Sequence, residues 1–202
     1  MVRAPRPDEL ERLRDVERAA GRVFLEVGMP DIAADEPPSL AVLERYRLAG
    51  WAWVVAVTPA AGDGDPGGGE CRGGEAGAGE AGGGGSDGVP AAYVIVDVLD
   101  RPGPGPGGAA HVEQVSVDPA FAGRGWGRRL LDHVADRARH HGLAAVTLTT
   151  FRDVPWNAPY YERCGFRVLA EDELGPDLRR LRAAEAAHGL DPALRVCMRR
   201  DL

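Results

Sequence analysis

Residues 111–140 read HVEQVSVDPAFAGRGWGRRLLDHVADRARH, and this stretch decides the fold. Its first seven residues carry β-branched side chains with period two, which predicts a strand over 111–117. Val112 falls out of phase with Val115 and Val117. Asp118-Pro119 ends the strand, because proline has no N–H to give a ladder and restricts the residue before it. Gly123, Gly125 and Gly127 then alternate with Arg124 and Trp126. Beyond them Leu130, Leu131, Val134, Ala135 and Ala138 recur at helical spacing, with Arg and Asp on the other side.

A strand, a glycine-rich turn and a helix in succession make an anion site. The first N–H groups of a helix have no internal partner, and the helix dipole adds partial positive charge there. Glycines let the backbone approach a ligand with no side chain in the way. Arg124, Arg128 and Arg129 add fixed charge at the same end. The expected ligand is a phosphate or pyrophosphate. A P-loop would need Lys-Ser or Lys-Thr after its last glycine, and the chain contains no lysine. The dinucleotide spacing G-x-G-x-x-G fails because Arg128 and Leu130 hold its last position.

A second cluster, VPWNAPYYERCGF over 154–166, follows the next strand. The two patterns together resemble the GCN5-related N-acetyltransferase (GNAT) superfamily. Ala122-Gly123-Arg124-Gly125-Trp126-Gly127 is similar to its coenzyme A pyrophosphate loop, with Ala122 where the family usually has Arg or Gln. Tyr161 to Phe166 is similar to the family's Tyr-Glu-x-x-Gly-Phe. Asn157 precedes Tyr161 by four positions, closer than the commonest family spacing. The resemblance covers residues 91–170 well and the remainder loosely.

The resemblance implies acetyl-CoA as co-substrate, no metal, and direct transfer of the acetyl group to a primary amine of a small molecule within a ternary complex. It assigns cofactor contacts to Val115, Ser116, Val117, Gly123, Arg124, Gly125, Trp126, Gly127, Arg128 and Asn157. Such transfer needs a neutral amine, a polarised carbonyl and a protonated leaving thiolate. Glu113 is the candidate base, with Gln114 expected on the opposite face; an ordinary exposed strand residue is the alternative. Tyr161, with an unperturbed pKa of about 10, is the candidate acid, and Tyr160 beside it reads as packing. A coenzyme-binding regulatory module without catalysis, and a protein N-terminal or lysine acetyltransferase, stay open. The acceptor would be chosen by residues 8–48 and 168–192, where no pattern names it.

The rest of the chain sets bounds. Its 202 residues, 44% hydrophobic, suit one domain spanning 1–202. No apolar run approaches a membrane span, and MVRAPRPDEL has no apolar signal core. Cys71, Cys164 and Cys197 form no C-x-x-C pair, which fits a reducing cytoplasm. The net charge of -7 argues against nucleic acid as partner. Residues 59–88 contain 14 glycines, six acids and one Arg, too little apolar surface to offset ordering, so they read as a disordered insertion.

In order, the pattern predicts a first strand at 2–4, a helix from Asp8 (its cap) to Gly28, and a helix from Ser39 to Gly50. Strands follow at 51–58 and 91–98, then a glycine-proline loop at 101–109. After the central helix come a strand at 145–151, a short helix at 156–163, a strand at 166–169, a helix at 176–188 and a strand at 194–200. His133 reads as solvated, and the last strand could pair across a homodimer. The fold class expected is α/β, with helices on both faces of a mixed sheet. The resemblance makes that sheet mostly antiparallel, with six to seven strands.

Overall fold

A computed structural model of the chain describes residues 1–58, 88–99 and 107–202. The expected insertion at 59–88, apart from Gly88, lies outside the described residues, as do Cys71 and most of the 101–109 loop. Seven strands form one sheet: β1 Val2–Arg3, β2 Ala52–Val57, β3 Val89–Leu99, β4 Ala109–Val117, β5 Ala145–Phe151, β6 Arg167–Val168 and β7 Arg195–Asp201. Their order is β1-β2-β3-β4-β5-β7-β6. Only β4 and β5 run parallel; every other pair is antiparallel. The helices are α1 Leu10–Gly21, α2 Pro30–Ala33, α3 Leu40–Ala49, α4 Trp126–His140, α5 Ala158–Arg163 and α6 Pro176–Ala187. No helix among the described residues is long and apolar enough to cross a membrane.

Two layers of side chains cover the sheet. On one face Leu130, Leu131, Val134, Ala135 and Ala138 of α4 pack on Val94, Val96, Ala110, Val112 and Met198, and Ala158 of α5 joins them. On the other, Leu10, Leu13 and Val16 of α1 and Leu43 and Tyr46 of α3 pack on Val54, Tyr93 and Ile95. Leu178 of α6 meets Cys197 of β7 on a third patch. A helical stripe and a strand alternation have thus met as their periods require.

Three expectations are corrected. The single helix over 8–28 is instead α1, a 3-10 segment Arg22–Val27 and the short α2. Asp8 does not cap α1. Glu9 stands at the cap position without a side-chain cap bond; its carboxylate instead closes the preceding 3-10 turn, Pro7–Glu9, accepting from the Arg6 amide at 2.7 Å and from two Arg3 guanidinium nitrogens. His133 is not solvated: its ring packs on Trp53 at 5.1 Å and its Nε2 is buried. The last strand is a less open edge than a homodimer pairing calls for, since β5 pairs along one side of it and β6 covers Met198 and Arg199 on the other.

β4 holds the feature that matters most. Ile95 pairs with Gln114, but Val96 pairs with Val112. Glu113 is therefore an extra residue, a β-bulge that interrupts the ladder. The bulge accounts for the phase break at Val112. Val112, Val115 and Val117 all pack on the α4 face, so Glu113 and Gln114 both fall toward the α1 face. The expected opposition of Glu113 and Gln114 is overturned by that one inserted residue.

Replacing Leu131, fully buried beneath α4, by Ala should lower unfolding stability by about 2–5 kcal/mol. Leu48→Ala, at a side chain 71% exposed, should change it by under about 0.5 kcal/mol. Urea midpoints check both.

Candidate active site

Pairing between β4 and β5 ends at Val112 with Leu148. Both strands continue, β4 to Val117 and β5 to Phe151, so the sheet splits between them. Which groups face the split follows from the ladder. The Asp118 amide donates to Ala91 of β3 at 2.9 Å. Main-chain groups alternate along a strand, so those of Ser116 and Gln114 also turn to β3, while those of Val115 and Val117 turn to the split. Of the three edge residues expected from sequence, Val115 and Val117 thus present free backbone. Ser116 is buried and accepts a hydrogen bond from Gln114 Nε2 at 2.9 Å.

The glycine turn lies at the same end. Asp118 accepts from the Ala120 amide at 3.0 Å and caps a 3-10 turn, Pro119–Phe121. Gly123 and Gly125 then take φ of 73° and 74°, a conformation costly for residues with a Cβ. Gly125 caps α4, and its carbonyl receives the Arg129 amide at 3.0 Å. The amides of Trp126 and Gly127 consequently have no acceptor inside the helix. The nest is narrower than the sequence implies. The Ala122 amide is bound to Pro119 at 3.1 Å, and that of Arg128 meets the Tyr160 hydroxyl.

Tyr160 was expected only to pack. Its hydroxyl oxygen would lie 2.8 Å from a Cβ placed on Gly127, and Val117 would lie 3.6 Å away. Glycine at 127 thus lets the end of β4, the start of α4 and α5 converge. The arginines line the rim: Arg124 stacks on Phe121 at 5.6 Å, Arg129 on Trp126 at 5.8 Å, and Arg128 bonds the Arg163 carbonyl at 3.2 Å.

Asn157 caps α5 with its backbone, its carbonyl receiving the amides of Tyr160 and Tyr161 at 2.8 and 2.9 Å. Its side chain is buried. Tyr161 packs on the α4 side of the sheet, against Tyr160 at 5.5 Å and Phe166 at 6.0 Å. Burial pushes its phenol up to about 12, helped by nearby Cys164 and opposed by Arg195. It is a neutral hydrogen-bond donor over the whole physiological range, and a weaker acid than the free side chain.

Glu113 lies on the α1 face, so the two catalytic candidates flank the split from opposite sides. Its surface is open to solvent, yet surrounding protein crowds the carboxyl and raises its pKa, with Asp97 and Glu185 adding to the rise and Arg45 opposing it. Beside it lie groups that carry no sequence signal, because they meet only in the folded chain. His111 is buried, its Nδ1 3.0 Å from Thr147 Oγ1, and burial lowers it to about 4. Glu185 of α6 accepts from Thr149 and from Arg195, each at 2.5 Å, and Arg195 stacks on Phe151 at 4.7 Å. Phe24, in the 3-10 segment after α1, reaches Phe151 at 5.7 Å and Trp156 at 5.8 Å. Two surface cavities, of about 410 and 320 Å³, lie away from the split.

A Gly127→Ala substitution should push its new methyl into the Tyr160 hydroxyl and weaken diphosphate binding by about tenfold. The double variant Gly127→Ala/Tyr160→Phe should recover part of the loss, since the clashing oxygen is gone. Calorimetric titration with coenzyme A compares the two.

Residues 77–166 match the acetyltransferase (GNAT) family model. Solved structures superpose on the whole chain at low identity. N-acetylglutamate synthase from Neisseria gonorrhoeae, complexed with coenzyme A and N-acetyl-glutamate, is 17% identical with a TM-score of 0.60; the present chain spans 35% of its length. PaiA N-acetyltransferase from Thermoplasma acidophilum, in complex with coenzyme A, is 11% identical with a TM-score of 0.56 and is 98% covered. The NatC complex bound to Gag peptide and coenzyme A is 10% identical with a TM-score of 0.57, again 98% covered. Residues 77–166 thus resemble the GNAT acetyltransferase family, and the described chain, with its split sheet and glycine turn, shares the fold of these structures.

Proposed function

We propose that this protein moves an acetyl group from acetyl-CoA to the primary amine of a small molecule, by direct attack within a ternary complex in a single domain. One observation carries the reading: unpaired backbone of β4 and the open start of α4 converge on one end of the split between β4 and β5.

In this reading the amides of Trp126 and Gly127, with the loop from Gly123, receive the diphosphate, and Arg124 and Arg128 add charge at the rim. Val115 and Val117 pair with the pantetheine arm as a further strand would. The thioester then lies in the split, with an amide on β4 to polarise its carbonyl. Glu113 on the α1 face is the candidate base for the acceptor's proton. Tyr161 on the α4 face hydrogen-bonds the departing sulfur and protonates it. The high pKa of Tyr161 keeps that proton in place until thiolate forms. Ser116 contributes by shape, since its backbone turns away. Buried Asn157 holds α5, and so Tyr161, in place. A reducing cytoplasm suits Cys164 and Cys197, both buried as free thiols.

Titration with acetyl-CoA, followed by thiol release across an alkylamine, an aromatic amine, an amino acid and a tetrapeptide, tests the proposal. Turnover with a small amine is the expected result. Turnover with the tetrapeptide alone would move the acceptor to proteins, and affinity without any turnover would leave a binding module.

Tyr161→Phe should lower kcat by about 10²-fold and leave acetyl-CoA affinity unchanged. Equal rates for the two proteins would remove the acid role.

A further inference from the structure

We propose that Glu17, on α1, is a second carboxylate turned toward the acceptor: it holds the incoming ammonium and takes up its proton before attack. The inference rests on the acetyltransferase reading of the same site.

The course of α1 places Glu17. Near the start of the helix, Arg12 bonds Asp118 at 2.5 Å and the Pro90 carbonyl at 3.2 Å, at the far end of β4. Past its end, Phe24 rests on Phe151 at the far end of β5. The helix and its extension therefore cross the mouth of the split on the Glu113 face. Glu17 lies between those two anchors. It accepts a hydrogen bond from Tyr93 of β3, whose register partner on β4 is Ser116.

The company Glu17 keeps sets it apart. Asp8 pairs with Arg6, Glu9 with Arg3 and Arg6, Glu11 with Arg14 and Arg18, and Asp15 with Arg18. Among the described residues, Glu17 alone of these acids makes no arginine salt bridge. It is held by a phenol that is itself fully buried. A carboxylate taken out of water and left without a counter-ion is costly, and one that meets an ammonium recovers that cost. Around it stand Tyr93 from β3, Asp35 beyond α2, and Arg14 on its own helix. On the same face of β4, Gln114 and Ser116 carry no charge, and Glu113 is a further carboxyl group. Burial, with Asp35 adding and Arg14 opposing, pushes Glu17 up to about 7, the range in which a general base works best.

The step balances. The ammonium gives a proton to the Glu17 carboxylate and becomes a neutral amine, whose lone pair forms the C–N bond. The C–S bond breaks, the thiolate takes a proton from Tyr161, Glu113 takes the nitrogen's second proton and later releases it to solvent, and Tyr161 is reprotonated from solvent. Glu17 returns its proton to solvent after the amide leaves. Activity must therefore fall as pH drops through the Glu17 pKa, where the carboxyl is already protonated.

The test is the pH profile of kcat/KM with the best amine from the thiol-release panel. The wild-type protein should lose about tenfold per pH unit below about 7. Glu17→Gln should lose that limb and about 10²-fold in kcat/KM at pH 8, with acetyl-CoA titration unchanged. Tyr93→Phe removes a donor to the carboxylate and should shift the limb to higher pH. This second variant decides the matter if Glu17→Gln does not fold. A limb retained in Glu17→Gln, lost in Glu113→Gln, or unmoved in Tyr93→Phe overturns the assignment of Glu17 and leaves the acetyltransferase reading intact. A wild-type protein that binds no acetyl-CoA, or releases no thiol with any amine, overturns both.

Discussion

The parting of β4 from β5 is the constraint on which the rest of the structure depends. Two parallel strands that stay paired bury their edges in each other; here the ladder stops after Val112 and Leu148 although both strands go on. An edge left open inside a sheet has unsatisfied amides and carbonyls, and such groups seek partners. The bulge at Glu113 coincides with the stop. It turns the main-chain groups of Val115 and Val117 into the opening while keeping their side chains on the α4 face.

The opening divides the chemistry between the two faces of the sheet. Tyr161 and the start of α4 belong to one face, Glu113 and α1 to the other. In the proposed reaction a cofactor arm and an acceptor approach one point from opposite directions, with the strands fixing their separation. Holding two reactants in this way is itself a large part of catalysis. The network of His111, Thr147, Thr149, Glu185 and Arg195 ties β4, β5, β7 and α6 together on the α1 face of the sheet.

How much of this could be read from the residues follows from how local each feature is. The α4 stripe, the glycine turn and the strand before it are written in neighbouring positions, and the buried side of α4 is the one that its periodicity names. The phase break at Val112 was visible but ambiguous, because only the pairing with β3 shows where the extra residue sits. Asp8 and Glu9 both suit a helix start; neither side chain caps α1, and Glu9 is tied instead to Arg3, six residues away. Tyr160 looked like packing because its contact with Gly127 spans the α4–β5–α5 crossover. Glu17 had no signal at all, since a stripe of α1 marks only its apolar side, and the phenol that holds it lies 76 residues away on another element.

The position of β7 has a consequence for how the molecule assembles. The last strand of the chain is wedged into the sheet's interior, between β5 and the two-residue β6. Until residues 195–201 arrive, β5 lacks a neighbour on that side and β6 has none. A chain emerging from the ribosome can build β1 to β5 and close the α4 crossover, yet the sheet is whole only once residues 195–201 have followed. Pairing across some fifty positions makes that closing step slow in entropic terms, and leaves the open edge of β5 briefly available to chaperones or to unwanted strands.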